Sequence, residues 1–374
     1  MIKKIIITNI FTLLFIAFSL IHINENKQST YKINDSNFNL QWYLKNDGSG
    51  NGIDINSDFC NINNFKEGID IGALDMWNIF TKKNHNKEIV IAVIDTGIDY
   101  THEDLKNTMW INKNETPNDG IDNDNNGYID DIYGWNFCEN SSNLLSGDEI
   151  YENDHGTSIA GIIAAEHNKK GIAGIAGGTN VKIMSIKILK GITHIGNVDN
   201  IIKAIKYAEE MGATICNLSF TVATSNEDLK KIINNSNMLF VVAAGNGGIN
   251  LDETPIYPAS YKFDNLISVA DIGFDGNLSE KSNYGKKTVD IAAPGTYIYS
   301  TTVNDSYNYS SGTSMATAMV TGVAALMLLH DEDLEVDTIK DIITNTSSVS
   351  DNLREYIKCA GIINGKKVLS SNNN

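Results

Sequence analysis

The sequence predicts an α/β fold: a mostly parallel central sheet with helices on both faces. Short runs of β-branched and aliphatic residues recur along the chain without polar alternation, the pattern of strands buried on both faces. Segments with apolar residues at helical spacing separate those runs, as crossover connections between parallel strands require. The 374 residues are 42% hydrophobic and 20% charged. That supplies a sizeable core and excludes a disordered chain.

The elements follow in order. Lys3 and Lys4 precede an uncharged, largely apolar stretch at 5–23. A basic start and an apolar centre predict a secretory signal peptide over 1–23, or a membrane anchor if it stays uncleaved. The protein is then expected to be secreted or anchored at the cell surface. Residues 24–64 are polar and rich in Asn, Asp, Ser and Gly, with an aromatic cluster at 38–44. Strands are predicted at 88–94, ending in Asp95, and at 181–189, 213–219, 239–244 and 266–270. Ile201, Ala204, Ile205, Ala208 and Met211 form one helical face, with Gly212 as its stop. Met315, Met319, Val323, Leu326 and Met327 form a second. Beyond residue 23 no other long apolar run is evident, and 370–374 reads as a disordered tail.

Lys and Arg number 29 against 46 Asp and Glu, a formal charge of −17. Such a chain repels nucleic acid phosphates, so no nucleic acid partner is expected, and membrane contact is confined to the N-terminal segment. Cys60, Cys138, Cys216 and Cys359 lack CxxC spacing, which argues against zinc. Cys216 lies in an apolar run and reads as core. One disulfide among the other three stays open.

Three motifs concentrate the chemistry. VIDTGID at 93–99 ends a buried strand in Asp95. DHGTSIAG at 154–161 places His155 at the start of a small-residue helix. SGTSMATA at 311–318 places Ser314 at the start of the long apolar helix. Taken singly these are a turn residue, a structural histidine and an N-cap. Together they supply an orienting acid, a base and a nucleophile. A fourth run, VAAGNG at 242–247, ends an apolar strand at Asn246, and Asn-Gly alone also suits a turn.

These motifs resemble the subtilisin-like serine peptidases, the subtilases, in the order Asp, His, Ser. The resemblance runs from about residue 40 to 369 and implies a three-layer subtilisin-like catalytic domain over 40–369. It implies a monomeric serine endopeptidase acting on polypeptides. Ser314 attacks the peptide carbonyl, His155 is the general base, Asp95 fixes the imidazole, and Asn246 donates to the oxyanion. A peptide-binding pseudoprotease on the same fold is the alternative. An esterase is disfavoured, because the Gly-x-Ser-x-Gly elbow is absent and the Ser, Asp, His order is reversed.

The stretch between Asp95 and His155 exceeds the family's minimal form and holds an acidic insertion at 118–135. Asp122, Asp124 and Asn126 alternate before Gly127, and Asp130 and Asp131 follow. Oxygen ligands at alternate positions before a Gly match the first half of a calcium loop. Tyr133 stands where an EF-hand needs its Glu, so an EF-hand is not expected. Other subtilases carry similar insertions and structural calcium, so the resemblance implies a structural calcium here and no cofactor for catalysis. A solvated Asn/Asp turn is the alternative.

The resemblance also assigns substrate contacts. Ser219, Phe220 and Thr221 form the edge that pairs with peptide, where the family usually has Ser-Leu-Gly. Ala243, Ala244 and Gly245 form a wall of the primary pocket, and Ile256 lies at its base. A small or medium apolar residue before the scissile bond is expected. Ala318 replaces the usual Pro after the nucleophile motif without chemical consequence. Residues 24–39 read as a linker too short for a core, so no folded prodomain is expected. That suits a dedicated maturation or leader-peptide protease, for instance one acting on a bacteriocin precursor leader, with general degradation as the other reading.

Overall fold

The computed structural model describes residues 31–50, 53, 65–81, 83, 85–147, 150–190 and 195–371. The predicted signal or anchor segment and Cys60 lie outside the described residues. The main compact unit starts at Ile33, ahead of the predicted domain boundary at 40. The Asp35 carboxylate accepts the backbone N–H groups of Asn168 and Lys169 at 3.0 and 3.1 Å. At the other end a helix runs over Gly365–Ser371, so Ser370 and Ser371 are helical.

The strands are β1 (Ile89–Asp95), β2 (Gly134–Asn136), β3 (Val181–Lys187), β4 (Leu189–Lys190), β5 (Ile195–Gly196), β6 (Ile215–Leu218) and β7 (Leu239–Ala243). They continue as β8 (Leu266–Ile272), β9 (Ile291–Pro294), β10 (Ile298–Thr302), β11 (Ser306–Ser310), β12 (Ser348–Val349) and β13 (Gly361–Ile362). Nine form one sheet in the order β12-β13-β9-β8-β7-β6-β1-β3-β2. Its pairs are parallel except for β12 against β13 at one edge. The predicted parallel α/β sheet is thus observed. All residues of β1 and β8 are buried, the polar Asp95, Ser268 and Asp271 included, as strands covered on both faces require.

The layers follow from side-chain alternation. Val90, Ala92 and Ile94 share one core cluster with Ile201, Ala204, Ile205 and Ala208 of the helix Val198–Glu210 and with Leu229 and Ile233 of the helix Glu227–Asn235. The helix Thr313–His330 packs against β6, β7, β8 and β9, and also against the helix Asp154–Ala164. Every residue of Thr313–His330 is buried. This corrects the sequence reading, which saw one apolar face and no second long run. By length and composition the helix could cross a membrane, yet it is the core helix, and a helix enclosed on all sides needs apolar residues all round.

The helices Ala73–Phe80, Glu227–Asn235 and Val336–Asn345 and the hairpin β10–β11 were not predicted. The second had a legible signal: Asn226 caps it by accepting the N–H groups of Asp228 and Leu229. Cys138, Cys216 and Cys359 are free thiols, so Cys138 and Cys359 do not pair with each other.

Candidate active site

Strand order decides where the site forms. From β1 the chain builds outward on one side through β3 and on the other through β6 to β9. β1 is therefore the switch point, and the crevice beyond its carboxyl end is where open α/β sheets bind ligands. Asp95 is the last residue of β1 and is fully buried.

The turn after Asp95 brings the histidine helix onto it. Gly97 has φ 99°, and a Cβ there would lie 2.1 Å from the Leu144 carbonyl oxygen. A Cβ on Gly156 would lie 2.2 Å from the Gly97 oxygen. Only glycine permits this approach at both positions. The Gly156 N–H then donates to Thr96 Oγ at 3.0 Å. His155, beside it in the first turn of Asp154–Ala164, sets Nδ1 2.7 Å from Asp95 Oδ1. That oxygen also accepts the Thr96 N–H at 2.7 Å.

The His155 side chain is 18% exposed. Burial alone would push its imidazole down, but the Asp95 charge and hydrogen bond outweigh burial and hold it above the ordinary histidine value. Because Nδ1 donates to the carboxylate, the neutral ring keeps its basic lone pair on Nε2.

Ser314 is the second residue of Thr313–His330 and 7% exposed. Its Oγ donates to the Ser219 carbonyl oxygen at 3.1 Å. Asn246 is exposed at the end of β7, beside Gly312. Its Oδ1 accepts both the N–H and the hydroxyl of Thr313, at 2.9 and 3.0 Å. The Thr313 hydroxyl in turn accepts the Gly245 N–H at 3.1 Å. With Oδ1 pinned, the amide Nδ2 is free to meet a developing oxyanion. Sequence reading missed Thr313, whose position inside the nucleophile motif was the available signal.

Ser219 is buried, Phe220 is partly buried and Thr221 is exposed. Val222 then pairs with Tyr257 through hydrogen bonds in both directions at 2.7 and 2.9 Å. That antiparallel bridge sets Ile256 opposite Ala223. Thr221 Cγ2 lies 3.2 Å from where a Gly245 Cβ would stand. The Ala243 and Ala244 wall is buried.

Glu115, Asp124 and Asp131 each bring a carboxylate oxygen within 4.8 Å of the others. Asn126 and Asn112 donate into the same cluster, to Asp124 and Asp131. Asp131 is wholly buried and accepts the Tyr207 hydroxyl at 2.6 Å. Asp122 and Asp130 stand apart from this convergence. Asp122 accepts the N–H groups of Asn126 and Gly127, and Asp130 those of Asp119 and Gly120. Turn amides bond the cluster too: Glu115 accepts the N–H groups of Asn123, Asp124 and Asp130, and Asp124 that of Asn126. Glu115 was missed because it precedes the insertion.

An acid, an imidazole and a hydroxyl carried at the ends of apolar elements around a sheet switch point define the architecture of a serine peptidase of the Asp, His, Ser order. The chain belongs to the subtilase family, whose family model matches residues 86–366. It is 33% identical over 334 residues to "Subtilisin-like protease 1" of Plasmodium falciparum, covering 82% of this chain and 47% of that protein. The chain thus spans about half the length of that relative. It is 35% identical over 284 residues to "Major intracellular serine protease" of Bacillus subtilis, covering 74% of this chain and 79% of that protein. A solved protease of Pseudoalteromonas arctica PAMC 21717 shares the fold with a TM-score of 0.64 at 24% identity, covering 91% of this chain and 99% of that one.

Proposed function

We propose that this protein is a serine endopeptidase. The observation that carries the reading is the 2.7 Å contact between His155 Nδ1 and buried Asp95 Oδ1, with His155 on a helix packed against the one that carries Ser314. His155 Nε2 takes the Ser314 proton as Oγ adds to the substrate carbonyl, then delivers it to the leaving amine. Asn246 Nδ2 and the backbone N–H of Ser314 receive the oxyanion. Water then attacks the acyl-enzyme with His155 again as base, releasing the acid and restoring the Ser314 hydroxyl. A fluorophosphonate probe tests this. Labelling of wild type that is lost in Ser314→Ala supports the enzyme, and an unlabelled, folded wild type supports the pseudoprotease.

The finer reading is an exported protease with a dedicated maturation or leader-peptide substrate, such as a bacteriocin precursor leader. The uncharged, β-branched surroundings of the pocket support selectivity over broad degradation. The basic and apolar 1–23 segment supports export to the cell surface or medium, whereas the Bacillus relative is named as intracellular. Fractionation of cells expressing the full chain tests export, and peptide-library profiling tests selectivity.

A structural calcium belongs to the same proposal. Glu115, Asp124 and Asp131 supply hard oxygen donors that converge within 4.8 Å of one another. The bound ion would screen the repulsion of these carboxylates and pin the insertion to the sheet.

A further inference from the structure

Lys187 is wholly buried at the carboxyl end of β3, in register with Asp95 on β1. Its Nζ donates to the backbone oxygen of Thr96 and, at 2.9 Å, to Oδ1 of Asn153. Thr96 follows Asp95 in the chain. Asn153, itself buried, is the N-cap residue of the helix whose second residue is His155. One side chain thus ties the strand of the acid to the helix of the base.

A cation is an unfavourable choice for this position on stability grounds. Desolvation disfavours the charged form, and the helix N-terminus already carries partial positive charge. Burial pushes Lys187 below the ordinary lysine range, against the opposing influence of Cys138, Glu152, Glu139 and Asp95. A methionine would fill similar space without that cost. The neighbouring acid explains the cation better. Asp95 Oδ1 is shared by Thr96 N–H and His155 Nδ1, and Asp95 Oδ2 is buried without a hydrogen-bond partner among the described residues. A carboxylate so enclosed gains from a nearby positive charge.

We propose that Lys187 is a positioning residue for the Asp95–His155 pair: its ammonium clamps Thr96 to Asn153 and supplies positive charge beside the Asp95 carboxylate. This rests on the roles proposed above for Asp95, His155 and Ser314. Removing the charge leaves Asp95 less compensated, which favours the His155 imidazolium. The acid limb of the kcat/KM profile then moves to higher pH. Asp95 is the charged group facing His155. Of the other groups facing Lys187, Cys138 is pushed up by burial, and Glu139 is held down by its Lys190 hydrogen bond.

The experiment compares Lys187→Met, Lys187→Gln and Lys187→Arg with wild type on one peptide, with thermal melts reporting folding. The neutral variants are expected to lose about 10²-fold in kcat with KM little changed, the scale of a small misplacement of catalytic groups. Their acid limb is expected to move up in pH, and Lys187→Arg to restore it. Lys187→Gln keeps a donor for the Thr96 oxygen and carries the test where Lys187→Met does not fold. A folded neutral variant with wild-type kcat, or with an unmoved acid limb, overturns the proposal. So does failure of both neutral variants to fold, which would assign Lys187 to stability. Ser314→Ala separates the two levels: turnover retained there overturns the triad itself, whereas a dead Ser314→Ala beside a wild-type Lys187→Met overturns only the role of Lys187.

Discussion

Thr313 holds Asn246 through two bonds to one atom: its backbone N–H and its hydroxyl both donate to Asn246 Oδ1, at 2.9 and 3.0 Å. The residue before the nucleophile therefore orients the amide proposed to stabilise the oxyanion. Asn246→Leu should lower kcat by about 10²–10³ with KM little changed, the loss known for the equivalent amide of subtilisin. Thr313→Val keeps the N–H bond and strands the Gly245 N–H, so a smaller fall of roughly tenfold is expected. Steady-state kinetics of both variants checks the order.

Asp95→Asn should lower kcat by about 10⁴ while the fold persists, because the neutral amide no longer selects the reactive tautomer of His155. In wild type the Asp95 charge holds the imidazole above its ordinary value against burial. Activity should therefore rise with pH as His155 loses its proton, with a midpoint above about 6.5. A pH profile of kcat/KM flat from acid to neutral would contradict a histidine base.

Asp271 gives a stability signature separate from catalysis. It is buried at the end of β8, and desolvation pushes its carboxyl up from 3.8 to about 7 despite hydrogen bonds from Thr296, Ser279 and Gly295. The folded state holds this proton more tightly than the unfolded chain does. Its contribution is present in full below the unfolded value and is lost as pH rises through the folded one. Thermal melts of wild type against Asp271→Asn should converge at low pH, and the Asn variant should gain relative stability across that window.

The pocket prediction concerns Thr221 and Ile256. The Thr221 methyl faces Gly245, and the antiparallel Val222–Tyr257 bridge sets Ile256 opposite Ala223. Wild type should prefer small or medium apolar residues before the scissile bond. The Thr221→Gly, Ile256→Gly double variant should accept large aromatic ones. Peptide-library profiling checks both, and a strong wild-type preference for Arg or Lys would refute the uncharged pocket.

Calcium should raise the melting temperature of wild type, since a ligand bound to the folded state stabilises it by mass action. Glu115→Gln and Asp131→Asn should abolish that rise, and Asp122→Asn should leave most of it. Melts with calcium and with chelator, supported by isothermal titration, discriminate the cluster now identified from the alternating residues of the loop.

The sequence by itself determined the candidate triad residues and their order, and the apolar strand and two helices that bear them. Unbroken apolar runs such as 89–95 can sit only in a sheet covered on both faces, and Asp95, His155 and Ser314 each stand where such an element begins or ends. These signals are local: hydrophobic period and a polar residue at an element's end. Tertiary structure alone decided which side chains meet across long separations. It paired Lys187 with Thr96 and Asn153, pinned Asn246 on Thr313, and gathered Glu115 with Asp124 and Asp131. Those contacts depend on strand register and helix packing, which arise from the whole core closing at once. A hydrogen bond tolerates only a few tenths of an ångström, and no periodicity in the chain encodes a distance that fine.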